Sequence, residues 1–194
     1  MTLRYVISLL AGTAILATTT SCTNKNSVRT EILESVEWNV SVYKSVQFND
    51  PLTNVSTEAN YTVADTASVN ERLQSVKPEN LTLDWTIPNA DGTIRLVAYE
   101  GEPLLTETVA VNEANSIPTY GDNIQVAFKF SDAPKWARIT GENIGRRLAV
   151  FVNGQLMNAP QVNSEITSGN CSVSIPAEKI HEYLPNLDLD KLRQ

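Results

Sequence analysis

The sequence predicts an α+β domain, mainly antiparallel sheet with helices packed on one side. Three observations predict it. Apolar residues recur at every second position in "NLTLDWTI" and "NIQVAFKF", the period of strands with one buried and one wet face. The dipeptides Asp91-Gly92 and Asn153-Gly154 sit beside such runs, where two-residue hairpins demand positive φ. Two other segments, 64–80 and 131–145, carry helical spacing between a capping residue and a Pro or Gly.

The N-terminus comes first in chain order. Arg4 precedes an apolar run, Tyr5 to Ala17, and small residues 18–21 lead to Cys22. This is the layout of a secretory signal, too short to remain as a spanning helix. Thr19-Thr20-Ser21-Cys22 resembles the lipobox of bacterial lipoproteins, although an aliphatic residue is usual where Thr19 stands. Residues 1–21 are therefore expected to be a signal peptide, with Cys22 lipidated (palmitate among its acyl chains) and 22–27 a polar tether. The alternative is plain cleavage that leaves Cys22 an ordinary thiol.

Removing 21 of 194 residues leaves 173, with 14 Lys and Arg against 22 Asp and Glu, a net charge of −8. That balance argues against nucleic acid and against electrostatic docking on anionic lipid. Membrane attachment would come from the acyl chains alone. With Cys22 acylated, Cys171 has no disulfide partner, and "GNCSVSIP" reads as a strand holding a buried, inert thiol.

Residues 28–92 read as a β-rich region with one helix. Trp38, Val40 and Val42, then Val46 and Phe48, place a strand over 37–48, and "NDPLTN" turns the chain. Over 64–80, Asp65 or Thr66 can cap a helix whose inward residues are Val69, Leu73 and Val76, with Pro78 as its stop. Leu81, Leu83, Trp85 and Ile87 share one strand face, with Thr82, Asp84 and Thr86 on the other.

Residues 93–194 form the second region. "TIRLVAY" and "PLLTETVAV" are strands around the turn "EGEP", and Ile124, Val126, Phe128 and Phe130 share a face of the next. In 131–145, Ser131 or Asp132 caps a helix with Pro134 in its first turn; Trp136, Ile139 and Ile144 are its core contacts, and Gly141 and Gly145 end it. A hairpin follows, Leu148 to Val152 and then Gln155 onward, turned by Asn153-Gly154. Pro160 is expected to take the chain out of the sheet without offering a donor. "CSVSIP" closes the strands, and "AEKIHEYL" with "LDLDKLRQ" is a helix broken at Pro185.

The order of features from Phe128 to Ile175 resembles the head subdomain of the first periplasmic domain of SecD, the accessory subunit of the bacterial protein-export channel. The features are Ile139-Thr140, Gly145, Leu148-Ala149-Val150, Asn153-Gly154, Asn158-Ala159-Pro160, and Ile166 with Gly169. The resemblance covers roughly 93–184; Asn153 stands where that family usually has an acid. It implies a fold and a polypeptide-binding surface. The family's proton-driven work needs intramembrane ionisable groups, and beyond the leader these 194 residues show no spanning stretch.

Catalysis finds little support. Nucleophilic chemistry needs a base beside the nucleophile, and the single histidine, His181, lies in a solvated helix between Glu178 and Glu182. One His and one remaining Cys are too few for a zinc site. "GENIGRR" lacks the Lys and Ser/Thr of a phosphate loop, which leaves Arg146 and Arg147 as surface charges. The acid pairs Glu100/Glu102 and Asp188/Asp190 are too local to define a cleft. Trp38, Trp85 and Trp136 all fall on core positions.

No enzyme activity, cofactor or metal is expected. The expected function is a periplasm-facing module that binds extended polypeptide or an envelope protein, accessory to export or envelope assembly. The alternative is an interaction lipoprotein holding one folded partner, unrelated to export. Candidate contacts are Trp136, Ile139, Thr140 and Ile144 on the helix, and Gln155, Met157 and Val162 along the hairpin and the loop after it. Asn153, Gly154 and Pro160 are assigned to turn structure.

Overall fold

A computed structural model describes residues 28–76, 80–116 and 121–193. The leader, Cys22 and Pro78 lie outside the described residues. Twelve strands appear among them: β1 Arg29–Val46, β2 Asn49–Asp50, β3 Val55–Ser56, β4 Tyr61–Thr62, β5 Thr82–Trp85, β6 Thr93–Ile94, β7 Leu96–Tyr99, β8 Leu105–Ser116, β9 Asn123–Lys129, β10 Leu148–Val152, β11 Gln155–Asn158 and β12 Asn170–Pro176. The helices are α1 Thr66–Leu73, α2 Ala133–Glu142, α3 Ile180–Tyr183 and α4 Leu189–Arg193.

The fold is α+β. One antiparallel sheet runs β11-β10-β1-β8-β9-β12, with β7 and then β5 added at the far end of β1. β1 is its spine, pairing with β8 through Val42↔Leu105 and with β10 through Val40↔Val152. The sheet thus takes strands from both sides of residue 93.

Parity decides what is buried. Trp38, Val40 and Val42 are fully buried, as are Val111, Val126 and Phe130 on the same face. Trp136 and Ile139 of α2, Ile180 of α3 and Leu192 of α4 pack onto that face in one continuous core, so these helices share a side of the sheet. Trp38 also donates its indole N–H to Tyr183 O at 3.1 Å and meets Phe128 edge-on at 6.1 Å between ring centroids. Such a pair stabilises by about 0.5–1.5 kcal/mol beyond area burial.

Two smaller clusters complete the packing. Val55, Tyr61, Val69, Ile94 and Leu96 form one beneath α1, with Trp85 against Tyr61 at 5.2 Å. On the other face of β10, Phe151 meets Tyr43 and Tyr99, each at 5.2 Å. β10 is consequently buried along its whole length, which explains why "LAVFV" is continuously apolar.

Several local expectations are corrected. β1 begins eight residues earlier than Glu37 because a bulge between Ile32 and Val36 interrupts its alternation. Asp65 stands at the N-cap of α1, as expected, but its carboxylate caps no amide of α1; a helical turn precedes α1 from Thr62, and the Asp65 carboxylate reaches back to the Thr62 N–H at 2.7 Å and its hydroxyl at 2.8 Å. Thr86, expected on the wet face, is buried. Gly141 lies inside α2, and Gly145, at φ +81°, makes the turn. Ile144 is 55% exposed and is no core contact. Pro160 does not take the chain out of the sheet: its carbonyl accepts from Leu148 N–H, and Val162 N–H continues to Arg146 O. The missing donor is tolerated because Pro160 lies past the end of β11, the edge strand of the sheet.

Candidate functional site

A cavity of about 930 Å³ opens where β8 and β9 part. Their register is confined to Ala114↔Val126, Asn115↔Gln125 and Ser116↔Ile124. The strands are next joined by a side chain, Glu107 Oε1 accepting from Ser131 N–H at 2.6 Å. Between those two closures β8 and β9 face each other without a ladder. The neighbouring strand is irregular at the same level: β1 carries its bulge between Ile32 and Val36, and the inward set of β8 changes there from Val109 and Val111 to Ala114.

Ala110 and Asn112 line the cleft from β8, Ala127 and Lys129 from β9, and Asn170 and Ser172 from β12. Phe128, Trp136, Val150 and Val162 supply apolar surface within it. Its charged lining is one acid, Glu113, and one base, Lys129. Bare strand edges, small polar side chains and apolar patches suit an extended, uncharged segment that brings its own backbone donors and acceptors.

The residues expected to make contacts divide sharply. Trp136, Ile139, Thr140, Met157 and Val162 are all buried; of these Trp136, Thr140 and Val162 reach the cleft wall. Gln155 is exposed at the hairpin tip and Ile144 is exposed after α2, both away from the cleft lining. The structure brings Trp136, Thr140 and Val162 together at the cleft, buries Ile139 and Met157 away from it, and leaves Ile144 and Gln155 exposed elsewhere.

The motif residues are mostly fastenings. The Thr140 hydroxyl lies 3.0 Å from Trp136 O and 3.1 Å from Ala137 O, to which it donates, and accepts from Ile166 N–H at 2.9 Å. This ties α2 to the loop bordering the cleft. Gly169, at φ +78°, accepts from Phe130 N–H at 3.0 Å, and a Cβ there would stand 2.8 Å from Phe130 O. Asn153 and Gly154 both have positive φ, 50° and 82°, as a two-residue hairpin requires. Asn153 also uses its Oδ1 to accept from Asn39 N–H at 2.9 Å, sewing the turn to β1.

Burial pushes the Cys171 thiol up to about 12, so this lining residue stays protonated and inert. His181 is exposed on α3. Glu100 is paired with Lys44 at 3.2 Å, and Asp188 accepts from Asp190 N–H at 3.1 Å. Among the described residues no group of three His, Cys, Asp or Glu side chains could hold a metal ion, and no helix is long and apolar enough to cross a membrane.

Sequence reasoning missed β8's share of the cleft, Ala110 and Asn112. The one signal for it was the break in parity between Val111 and Ala114.

Residues 87–179, just under half of the chain, match the family described as SecDF, P1 head subdomain. Curated relatives agree. The protein translocase subunit SecD of Leptotrichia buccalis is 31% identical over 88 residues, covering 45% of this chain and 20% of that protein. That of Desulfurispirillum indicum is 32% identical over 80 residues, 41% of this chain and 15% of the relative. The chain therefore spans a fifth or less of these two relatives. Two solved SecDF structures align over 81% and 80% of this chain, covering 18% and 63% of theirs, at 19% and 21% identity with TM-scores of 0.38 and 0.37. The chain resembles the SecD P1 head.

Proposed function

We propose that this chain is a non-catalytic, periplasm-facing module that holds extended polypeptide as an accessory to protein export, tethered by lipid on Cys22. One observation carries the reading: the cleft with two bare strand edges lies within the segment that matches the SecDF head. A guest strand would pair with β8 or β9, and alternate side chains would settle against Phe128 and Trp136. Each backbone bond would contribute about 0.5–1.5 kcal/mol net and each buried methylene about 0.8 kcal/mol. Ordering the guest offsets much of that gain, so binding is transient. Release without an energy source then follows from weak affinity, which suits a carrier of passing chains.

The test is cross-linking in living cells with a photoreactive residue replacing Asn112, in the cleft, or Gln155, at the hairpin tip. The expected result is many secreted chains cross-linked at position 112, few at 155, and loss of the adducts when export is blocked. One dominant folded partner would replace the reading with that of an interaction lipoprotein. No adducts at position 112 would leave the cleft without a role.

A further inference from the structure

A second cavity, about 510 Å³, lies where the end of β1 meets the start of β7 and the turn before β10. Its walls carry Lys44, Arg95, Arg146 and Arg147 against one carboxylate, Glu58. The whole chain has a net charge of −7, so this concentration of cations runs against its composition. It shares only Gln161 with the cleft between β8 and β9.

Two of the cations are already held. Lys44 Nζ reaches Glu100 Oε1 at 3.2 Å, and Arg147 Nη1 donates to Ala159 O at 3.0 Å. The other two are held only by their backbones. Arg95 N–H donates to Thr86 Oγ1 at 3.1 Å and its carbonyl accepts from Thr86 N–H at 3.0 Å, while Arg146 N–H donates to Asn143 O at 2.9 Å. Neither guanidinium makes a hydrogen bond or ion pair with the described residues. Like charges gathered in one concavity repel, and that cost is relieved when an anion enters.

We propose that this cavity is an oxyanion site that takes a phosphate group. A carboxylate offers two oxygens and is satisfied by one guanidinium fork; a phosphate carries up to two charges and can meet two forks and an ammonium together. With Lys44 and Arg147 fixed, Arg95 and Arg146 close on the remaining oxygens. With Lys44 paired to Glu100 and Glu58 set against one of the three arginines, two positive charges remain, enough to match a phosphate dianion. The phosphate can belong to a free small molecule or to a lipid headgroup, since both present the same oxygens.

The test uses the full-length chain. Inorganic phosphate and pyrophosphate are titrated while the backbone amide resonances of Ser45, Gln47 and Arg146 are followed by NMR. Phosphatidylglycerol vesicles are then compared with phosphatidylcholine vesicles. Saturable shifts with either free anion assign a soluble source, and shifts with phosphatidylglycerol vesicles alone assign a headgroup. The double variant Arg95→Gln/Arg146→Gln should bind at least about ten-fold more weakly for each charge-assisted contact removed, with an unchanged far-UV spectrum because both side chains are exposed. Arg138→Gln, on α2 and outside the cavity, should bind like the wild type. Absence of shifts with every probe, or equal affinity in the double variant, overturns the proposal.

Discussion

Thr140→Val separates a structural role from a contact role at a residue that the motif singled out. Thr140 is fully buried, and its hydroxyl bridges the carbonyls of α2 and the Ile166 N–H at 2.9 Å. Valine keeps the shape and deletes the bridge. The lost bond is worth about 0.5–1.5 kcal/mol and the orphaned Ile166 donor about 1–3 kcal/mol. Ile166 is only partly buried, so water recovers some of the second term, and the expected loss is about 2 kcal/mol. That corresponds to a fall in Tm of roughly 4–8 °C for a chain of this size. Thr140→Ser keeps the hydroxyl and loses one methyl, about 0.8 kcal/mol. Urea unfolding followed by far-UV circular dichroism measures both. A serine variant as unstable as the valine variant, or a valine variant within about 0.5 kcal/mol of wild type, would refute the bridge.

Two further outcomes are expected. Gly145→Ala should cost about 1–2 kcal/mol, since its positive φ is its only constraint and a Cβ there would meet nothing within 4 Å. Gly169→Ala adds a 2.8 Å approach to Phe130 O and should be distinctly worse; equal losses in urea would show that the backbone yields there. Burial holds the Cys171 thiol at about 12, above its ordinary 9.0. With the folded value raised, the thiol's contribution is whole below about pH 9 and is lost as pH climbs toward 12. In a Cys22→Ser background, Cys171→Ala should therefore lose less stability between about pH 8 and pH 10.5 than Cys171 does. Parallel losses in the two proteins would contradict the burial.

Alternation made most strands legible, because a half-buried strand must place its apolar residues at every second position. Trp38, Val40 and Val42, and likewise Ile124, Val126 and Phe128, lie buried on their expected parity. The N-terminal half of β1 was illegible for the converse reason. Its bulge sends Leu33 and Val36 inward at a spacing of three, and Ile32 is left 73% exposed. Pro160 misled because a missing donor forbids a central position, whereas a position past the end of the edge strand tolerates it. The cleft depends on how far β8 and β9 stay in register, a long-range property without a local signature. The cation cavity gathers Lys44, Arg95 and the Arg146-Arg147 pair from three distant segments, and only the last was conspicuous in the sequence.

The matched segment also fails to include the strand on which it depends. Residues 87–179 carry β8 and β10, but β1 lies between those strands in the sheet. A fragment 87–194 would lose Trp38, Val40 and Val42 from the centre of the core, at roughly 1.5–3 kcal/mol for each large apolar side chain. It would bare the facing edges of β8 and β10. It would also lose Glu31, whose carboxylate accepts from Asp188 N–H at 3.1 Å and pairs with Lys191 at 3.4 Å to dock α4. Those losses together exceed the whole stability of many domains, about 5–15 kcal/mol, once the broken ladders are included. The fragment should lack a cooperative thermal transition, and adding a peptide of residues 28–48 should restore one. A fragment that melts cooperatively by itself would mean that β8 and β10 close on each other without β1.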